Sequence, residues 1–180
     1  MRINYGQSVH GKEEIDAVVK VLKTSTQMGK NVFSLEKKVS SLFSKKFGVM
    51  VNSGSSALML AFELLHLNQG DEIITPVLTF SSTVTSIVKN GLKPVFIDVI
   101  AESFCIDTSK IENLITKKTK GICVPNLVGN LADWKKIKKI AKKYNLFLIE
   151  DSADTLVQEL GINQVVITLT YQLLAFMDHT

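Results

Sequence analysis

The chain has 180 residues, 46% of them hydrophobic and 21% charged, with a formal net charge of +4. Those values fit one soluble globular domain long enough to bury a core. No apolar run approaches the roughly 18 residues that a membrane-spanning helix needs, and Met1 to Gly6 show no apolar signal region, so no membrane partner and a cytoplasmic location are expected.

Hydrophobic spacing predicts a helix over 11–23, with Ile15, Val18, Val19 and Leu22 on one stripe. A polar loop over 24–30 leads to a second helix over 32–47, with Phe33, Leu35, Val39, Leu42 and Phe43 inside. Val49 to Val51 is the first buried strand, feeding Asn52-Ser53-Gly54-Ser55-Ser56 and an amphipathic helix to about Leu67. A turn at Asn68 to Asp71 precedes a strand over 72–75 that ends at Pro76. A helix over 79–89 closes at Asn90-Gly91, followed by a strand over 94–99, a helix over 108–116 and a strand over 121–125. Asp133 caps a lysine-rich helix to Tyr144, and a strand over 146–149 is closed by Glu150-Asp151. Lys135, Lys136, Lys138, Lys139, Lys142 and Lys143 recur at helical spacing and read as a solvated helix face, so no nucleic-acid partner is expected. Cys105 and Cys123 lack metal-ligand spacing and read as buried thiols of a reducing compartment, so no metal site is expected.

Short Val/Ile/Leu runs alternating with helices define an α/β fold with a mostly parallel sheet covered on both faces. Ligands of such sheets lie at the carboxyl ends of strands. Four polar clusters follow strands: the serine turn, Thr79-Phe80, Asn126 to Asn130, and Asp151. The serine turn opens a helix, where free N–H groups and the positive dipole end favour an anion. Gly54 lets the backbone approach a phosphate and the serines add donors, although the same pattern serves as an ordinary N-cap. Phe80 can stack on a flat ring. Asp151 can hold a proton on a pyridine nitrogen. Together these suit a phosphorylated heteroaromatic cofactor.

The chain resembles the DegT/DnrJ/EryC1/StrS family of fold-type-I, vitamin B6-dependent enzymes acting on nucleotide-linked keto-sugars. The matching blocks are Val51 to Leu58, Gly70 to Pro76 with Thr79-Phe80, Pro94 to Asp98, Lys118 to Ile122, and Ile149 to Ala153. They run in order from about Tyr5 to Leu156. The resemblance implies the N-terminal part of the large domain of a PLP-dependent transferase, like that of aspartate aminotransferase. It implies pyridoxal or pyridoxamine 5'-phosphate as cofactor, with Ser55 and Ser56 beside Gly54 on its phosphate, Phe80 on its ring and Asp151 at its nitrogen. It also implies a nucleotide-linked keto-sugar as substrate and a homodimer in the intact family.

Asn126-Leu127-Val128-Gly129 stands where the family's aminotransferases carry His-x-Tyr-Gly, and Asp154 where they carry Gln or His. Gly129-Asn130-Leu131 and the Asp151-x-x-Asp154 spacing resemble the dehydratase branch, which removes the C3 hydroxyl of CDP-4-keto-6-deoxyglucose with pyridoxamine phosphate and an iron–sulfur cluster. Asp154 therefore joins the expected cofactor residues. In that branch a histidine replaces the cofactor-anchoring lysine of the aminotransferases. The alternatives are a nucleotide-sugar aminotransferase using glutamate, and a cofactor-binding remnant without catalysis. Ser53-Gly54-Ser55-Ser56 lacks the G-x-G-x-x-G spacing of a dinucleotide fold, and no P-loop is present.

After Leu156 the family pattern stops, and residues 157–180 carry no catalytic block. A one-base frame shift accounts for this. Met177 followed by Asp178 forces a shifted Gly codon, and the flanking codons admit Ser-Ile-Thr-Ser-Phe-Tyr-Gly-Ser, which resembles the missing block. His179 into Thr180 gives a codon that His can fill and Lys cannot. The expected division is therefore 1–156 as family domain and 157–180 as an unrelated tail. The chain itself is expected to lack the catalytic lysine or histidine, cluster-ligating cysteines and the later strands, leaving open sheet edges, weak cofactor binding at best and no turnover.

Overall fold

The computed structural model describes residues 9–27, 29–43 and 45–155, with the backbone of 166–169 and 173–176. Tyr5, Leu156 and the shifted-frame residues from Met177 to Thr180 lie outside the described residues. Residues 1–33 and 34–180 form two compact units.

The first unit holds α1 (Lys12–Thr24), opened by the Gly11 N–H donating to Glu14 Oε2 at 2.6 Å. Its stripe forms as spaced, but Ile15, Val18, Val19 and Leu22 are 40–66% exposed and no residue of α1 is buried. An amphipathic period specifies a face; it does not specify what covers it. Helix α2 (Lys30–Leu42) starts in this unit and runs into the second. It ends five residues before the expected Phe47, within a serine-rich stretch whose hydroxyls compete for backbone groups: Ser40 Oγ donates to Lys37 O at 3.1 Å. Val39 and Phe43 pack on the core as expected, whereas Phe33, Leu35 and Leu42 are exposed.

Among the described residues the second unit is built on seven strands in the order β1-β7-β6-β5-β4-β2-β3. These are β1 (Phe47–Met50), β2 (Glu72–Pro76), β3 (Lys93–Ile97), β4 (Thr119–Pro125), β5 (Phe147–Ser152), β6 (Val166–Leu169) and β7 (Leu173–Phe176). Strands β3, β2, β4, β5 and β6 are parallel, and β7 pairs antiparallel with both β6 and β1. The mostly parallel sheet is as expected. The expected loss of the later strands is corrected: Val166–Leu169 and Leu173–Phe176 are short apolar runs with the pattern of buried strands, and their backbones extend the sheet. Both edges of the sheet are therefore β1 and β3, not β5.

Period-two alternation divides the core between the two faces. Ile73, Cys123 and Ile149 point to one side, with Ala57, Leu58, Ala61 and Phe62 of α3 (Gly54–Glu63) and Ile87 of α4 (Ser81–Lys89). Ile74, Ile122 and Val124 point to the other, with Ile111 of α5 (Ile111–Leu114) and Trp134, Ile137 and Ile140 of α6 (Trp134–Tyr144). Helix α3 stops at Glu63 rather than near Leu67, because His66 takes a left-handed φ of 48°. Only one turn of the expected 108–116 helix forms. Asp107 Oδ1 instead accepts the Ser109 N–H and hydroxyl, a local turn that competes with helix. In α6 Asp133 accepts the Lys136 N–H at 3.0 Å, and Lys135, Lys136, Lys139, Lys142 and Lys143 are exposed, as expected of a solvated face.

Edge strand β1 is fixed by α2. The Met50 N–H donates to Glu36 Oε1 at 2.8 Å, and a Cβ on Gly48 would lie 2.7 Å from the Glu36 carbonyl oxygen. Backbone cannot give way as a flexible side chain can. Gly48→Ala is expected to cost about 1–3 kcal/mol by forcing the strand off the helix, read as a lowered urea midpoint at unchanged slope. Stability equal to the wild type would show that the approach is not tight.

Candidate functional site

Strand β1 runs in the same direction as the parallel set, since β7 opposes both β1 and β6. The turns after β1, β2, β4 and β5 thus open on one edge of the sheet, as expected for the four polar clusters. Helix α3 follows the first of them and lies against α4 and over β6 and β7.

Ser53 caps α3: its Oγ accepts the Ser56 N–H at 3.1 Å and donates to Ser56 Oγ at 3.0 Å. Its role as an ordinary N-cap is therefore real. The N–H groups of Gly54 and Ser55 precede the first intrahelical bonds and have no partner among the described residues, and the Ser55 side chain is exposed. No atom lies within 4 Å of a Cβ built on Gly54, so packing within the chain does not require glycine there. Open space and unmet donors are what a phosphate needs.

Asp151 follows Ile149 by two positions and so faces α3 and α4. It is 6% exposed, and its Oδ2 accepts the Thr83 hydroxyl at 2.9 Å; Thr83 in turn accepts the Thr79 hydroxyl at 3.0 Å. Burial pushes its carboxyl above the ordinary range, the Thr83 hydroxyl and the Ala153 N–H pull it back, and the charge of Asp154 adds to the rise. No cation pairs with it among the described residues. A buried anion lacking a cationic partner is ready for a protonated ring nitrogen. Phe80 is 69% exposed at the start of α4, at this edge of the sheet.

Asp154 is exposed, and its Oδ2 accepts the Val128 N–H at 3.0 Å, which ties the turn after β5 to the turn after β4. Val128 has φ 55°, a left-handed conformation that a β-branched residue rarely adopts, so strain is held at this edge. Asn126, expected among the polar clusters, instead faces the α6 side. Its Nδ2 donates to Glu150 Oε1 at 2.7 Å and Ser152 Oγ at 3.0 Å, and its Oδ1 accepts from Trp134 Nε1 at 3.0 Å and the Ala132 N–H at 3.3 Å. It is 1% exposed with every polar position used. The structure thus brings together Asp151, Thr83 and Thr79 on one face, with Phe80 next to Thr79 in the chain, and places Asn126 behind the sheet.

Sequence reasoning missed Thr83, whose spacing from Thr79 is the one-turn period that aligns two hydroxyls. It also missed Lys45, a buried lysine before β1 whose Nζ has no hydrogen-bond partner among the described residues. Burial, with a further push from Lys138 and an opposing pull from Glu150, lowers its ammonium to about 8. The unfolded chain binds that proton more tightly, so the Lys45 contribution to stability increases as pH rises from about 8 to about 10.4. Lys45→Met is expected to be more stable than wild type at pH 7 and to lose this rise, measured by urea unfolding across that window.

Among the described residues no helix is long and apolar enough to cross a membrane, and no group of three or more His, Cys, Asp or Glu could hold a metal ion. Cys105 and Cys123 are buried free thiols, and burial together with Asp151 pushes the Cys123 thiol well up.

Comparison with known proteins defines the class. Residues 8–165 match the DegT/DnrJ/EryC1/StrS aminotransferase family, and the chain belongs to it. It is 33% identical to the 3-oxo-glucose-6-phosphate:glutamate aminotransferase of Bacillus subtilis over 165 residues, covering 87% of this chain and 37% of that protein. It is 39% identical to the lipopolysaccharide biosynthesis protein RfbH of Salmonella typhimurium over 131 residues, covering 68% of this chain and 30% of that protein. The structure of the E. coli GDP-4-keto-6-deoxy-D-mannose-3-dehydratase with bound hydrated PLP superimposes with a TM-score of 0.82 at 30% identity, over 89% of this chain and 44% of that one. The chain thus spans less than half the length of these proteins. Its fold is the N-terminal portion of the PLP-dependent transferase fold, as the sequence implies.

Proposed function

We propose that this chain supplies the cofactor-binding half of a vitamin B6 site for an enzyme that acts on a nucleotide-linked 4-keto-6-deoxy sugar, removing its C3 hydroxyl. The observation that carries the reading is Asp151, a buried carboxylate with no cation paired to it among the described residues, on the face that α3 and α4 cover. The open N–H groups of Gly54 and Ser55 and the exposed Phe80 fit the remainder of such a cofactor.

Pyridoxamine or pyridoxal 5'-phosphate, when bound, supplies a ring that takes up electrons from an adjacent carbon. The residues of this chain would set up that chemistry. Gly54, Ser55 and Ser56 would hold the phosphate at the positive end of α3. Phe80 would cover one ring face and keep water from it. Asp151 would hold a proton on the ring nitrogen, so the ring stays cationic. Asp154 would fix the turn carrying Val128 beside the sugar.

Asp154 and the Gly129-Asn130-Leu131 block favour dehydration. Amino transfer is the second reading, and relatives with both activities match the chain, including a GDP-perosamine synthase of Caulobacter vibrioides at 33% identity over 143 residues. We also infer that the tail is translated in a shifted frame, and the codons of residues 171–180 support this.

Two measurements test these readings. Pyridoxamine 5'-phosphate titrated into the 180-residue chain, followed by absorbance and by Trp134 fluorescence, is expected to bind without turnover of a GDP- or CDP-4-keto-6-deoxy sugar. No binding would overturn the cofactor site, and a 3-deoxy or amino sugar product would overturn the inactivity of this chain and identify the chemistry. Sequencing the coding DNA from codon 150 onward is expected to show a family-like frame one base away; its absence would make the tail genuine.

A further inference from the structure

The carboxylate of Asp151 does not meet the sheet edge alone. Thr83 Oγ1 is fully buried on the first turns of α4, donates to Asp151 Oδ2 at 2.9 Å, and is the acceptor for Thr79 Oγ1 at 3.0 Å. A hydroxyl has one proton. With the Thr79 proton directed at it, the Thr83 oxygen sends its own proton to Asp151, and the two bonds polarise in the same sense. Thr79 is half-buried just before Phe80, so the chain of hydroxyls runs from the exposed edge to the buried carboxylate.

We propose that Thr83, held by Thr79, is a positioning residue that orients the Asp151 carboxylate for the ring nitrogen of a B6 cofactor. This rests on the cofactor reading above. Two rigid elements are coupled by it, since Asp151 lies on β5 and Thr83 on α4. The same helix begins immediately after Phe80, so one element would set both the ring partner and the carboxylate. The charged group acting on Asp151 is Asp154, in the turn after β5, while Cys123 on the neighbouring β4 is a buried thiol that keeps its proton. Burial and the Asp154 charge both oppose the negative charge on Asp151, and the Thr83 bond counters them.

The test compares wild type with Thr83→Val, which keeps the shape and removes the donor, Thr83→Ser, which keeps the donor, and Thr79→Val, which breaks the chain at a half-buried position. The Asp151 carboxyl is titrated by carbon-13 NMR without cofactor, and pyridoxamine 5'-phosphate affinity is measured separately. Thr83→Val is expected to raise the carboxyl midpoint and weaken binding about tenfold, the usual effect of one lost hydrogen bond to a charged group. Thr83→Ser should restore both, and Thr79→Val should shift both in the same direction by less. Normal binding with an unchanged titration in Thr83→Val would overturn the role of Thr83 alone. Failure of wild type to bind the cofactor, with Asp151→Asn behaving the same, would overturn the cofactor reading and with it the purpose assigned to Thr83.

Discussion

Replacing Asp151 by Asn is expected to weaken pyridoxamine 5'-phosphate binding by about ten- to a hundredfold, the range of a charge-assisted hydrogen bond in a buried site. The bound ring should also lose its nitrogen proton at neutral pH, visible as a change in absorbance. The carboxylate is 6% exposed and bonded to Thr83, so water cannot replace it as partner to a ring cation. The empty chain should respond in the opposite sense. Burial raises the folded-state carboxyl above its ordinary value of about 3.9, so its stabilising contribution, complete below that pH, is lost as pH rises through the raised value. Asp151→Asn should remove that loss, giving a flatter stability profile in urea. A variant that binds cofactor as wild type does would place the ring nitrogen elsewhere.

Asn126→Leu is expected to cost about 4 kcal/mol of folding stability while changing little of what the opposite face of the sheet binds. The substitution conserves volume but strips the partner from Trp134 Nε1, the Ala132 N–H and part of the Glu150 carboxyl, each a buried group whose orphaning costs about 1–3 kcal/mol. Glu150 retains the Ser152 hydroxyl at 2.6 Å, so the carboxyl is weakened rather than abandoned. Trp134→Phe, which removes one donor and part of the ring, should cost less than Asn126→Leu. Urea midpoints measure both, and equal values would show that the network contributes little beyond packing.

The two variants separate what the sequence makes legible from what it hides. The alternation of short apolar runs with helices fixes the parallel sheet, and position after a strand places Asp151 and the serine turn on one edge. That same rule misplaces Asn126, because a residue after a strand can face either side, and period two decides which: Glu150 and Ser152 face α6 while Asp151 faces α4. Thr83 is hidden for a related reason. An isolated threonine in a helix carries no signal until the strand opposite it is known. The apolar stripe of α1 reads correctly as a pattern, yet its side chains are exposed, since pattern does not name a partner. Strands β6 and β7 form beyond the last block that the sequence reading matched, because backbone pairing needs only a short apolar run in the right place.

The position of β7 between β1 and β6 gives this sheet an order of assembly. Strands β2 to β5 pair with near neighbours in the chain, whereas Phe47 pairs with Phe176 and Met50 with Leu173. Closing so long a loop is slow, and it must await residues 173–176. During synthesis β1 would leave the ribosome well before β7 and wait, its edge open, until that partner emerges. The strand ahead of the serine turn is thus paired later than β2 to β5, and any delay in translating the residues between would prolong the state most prone to pair with another chain.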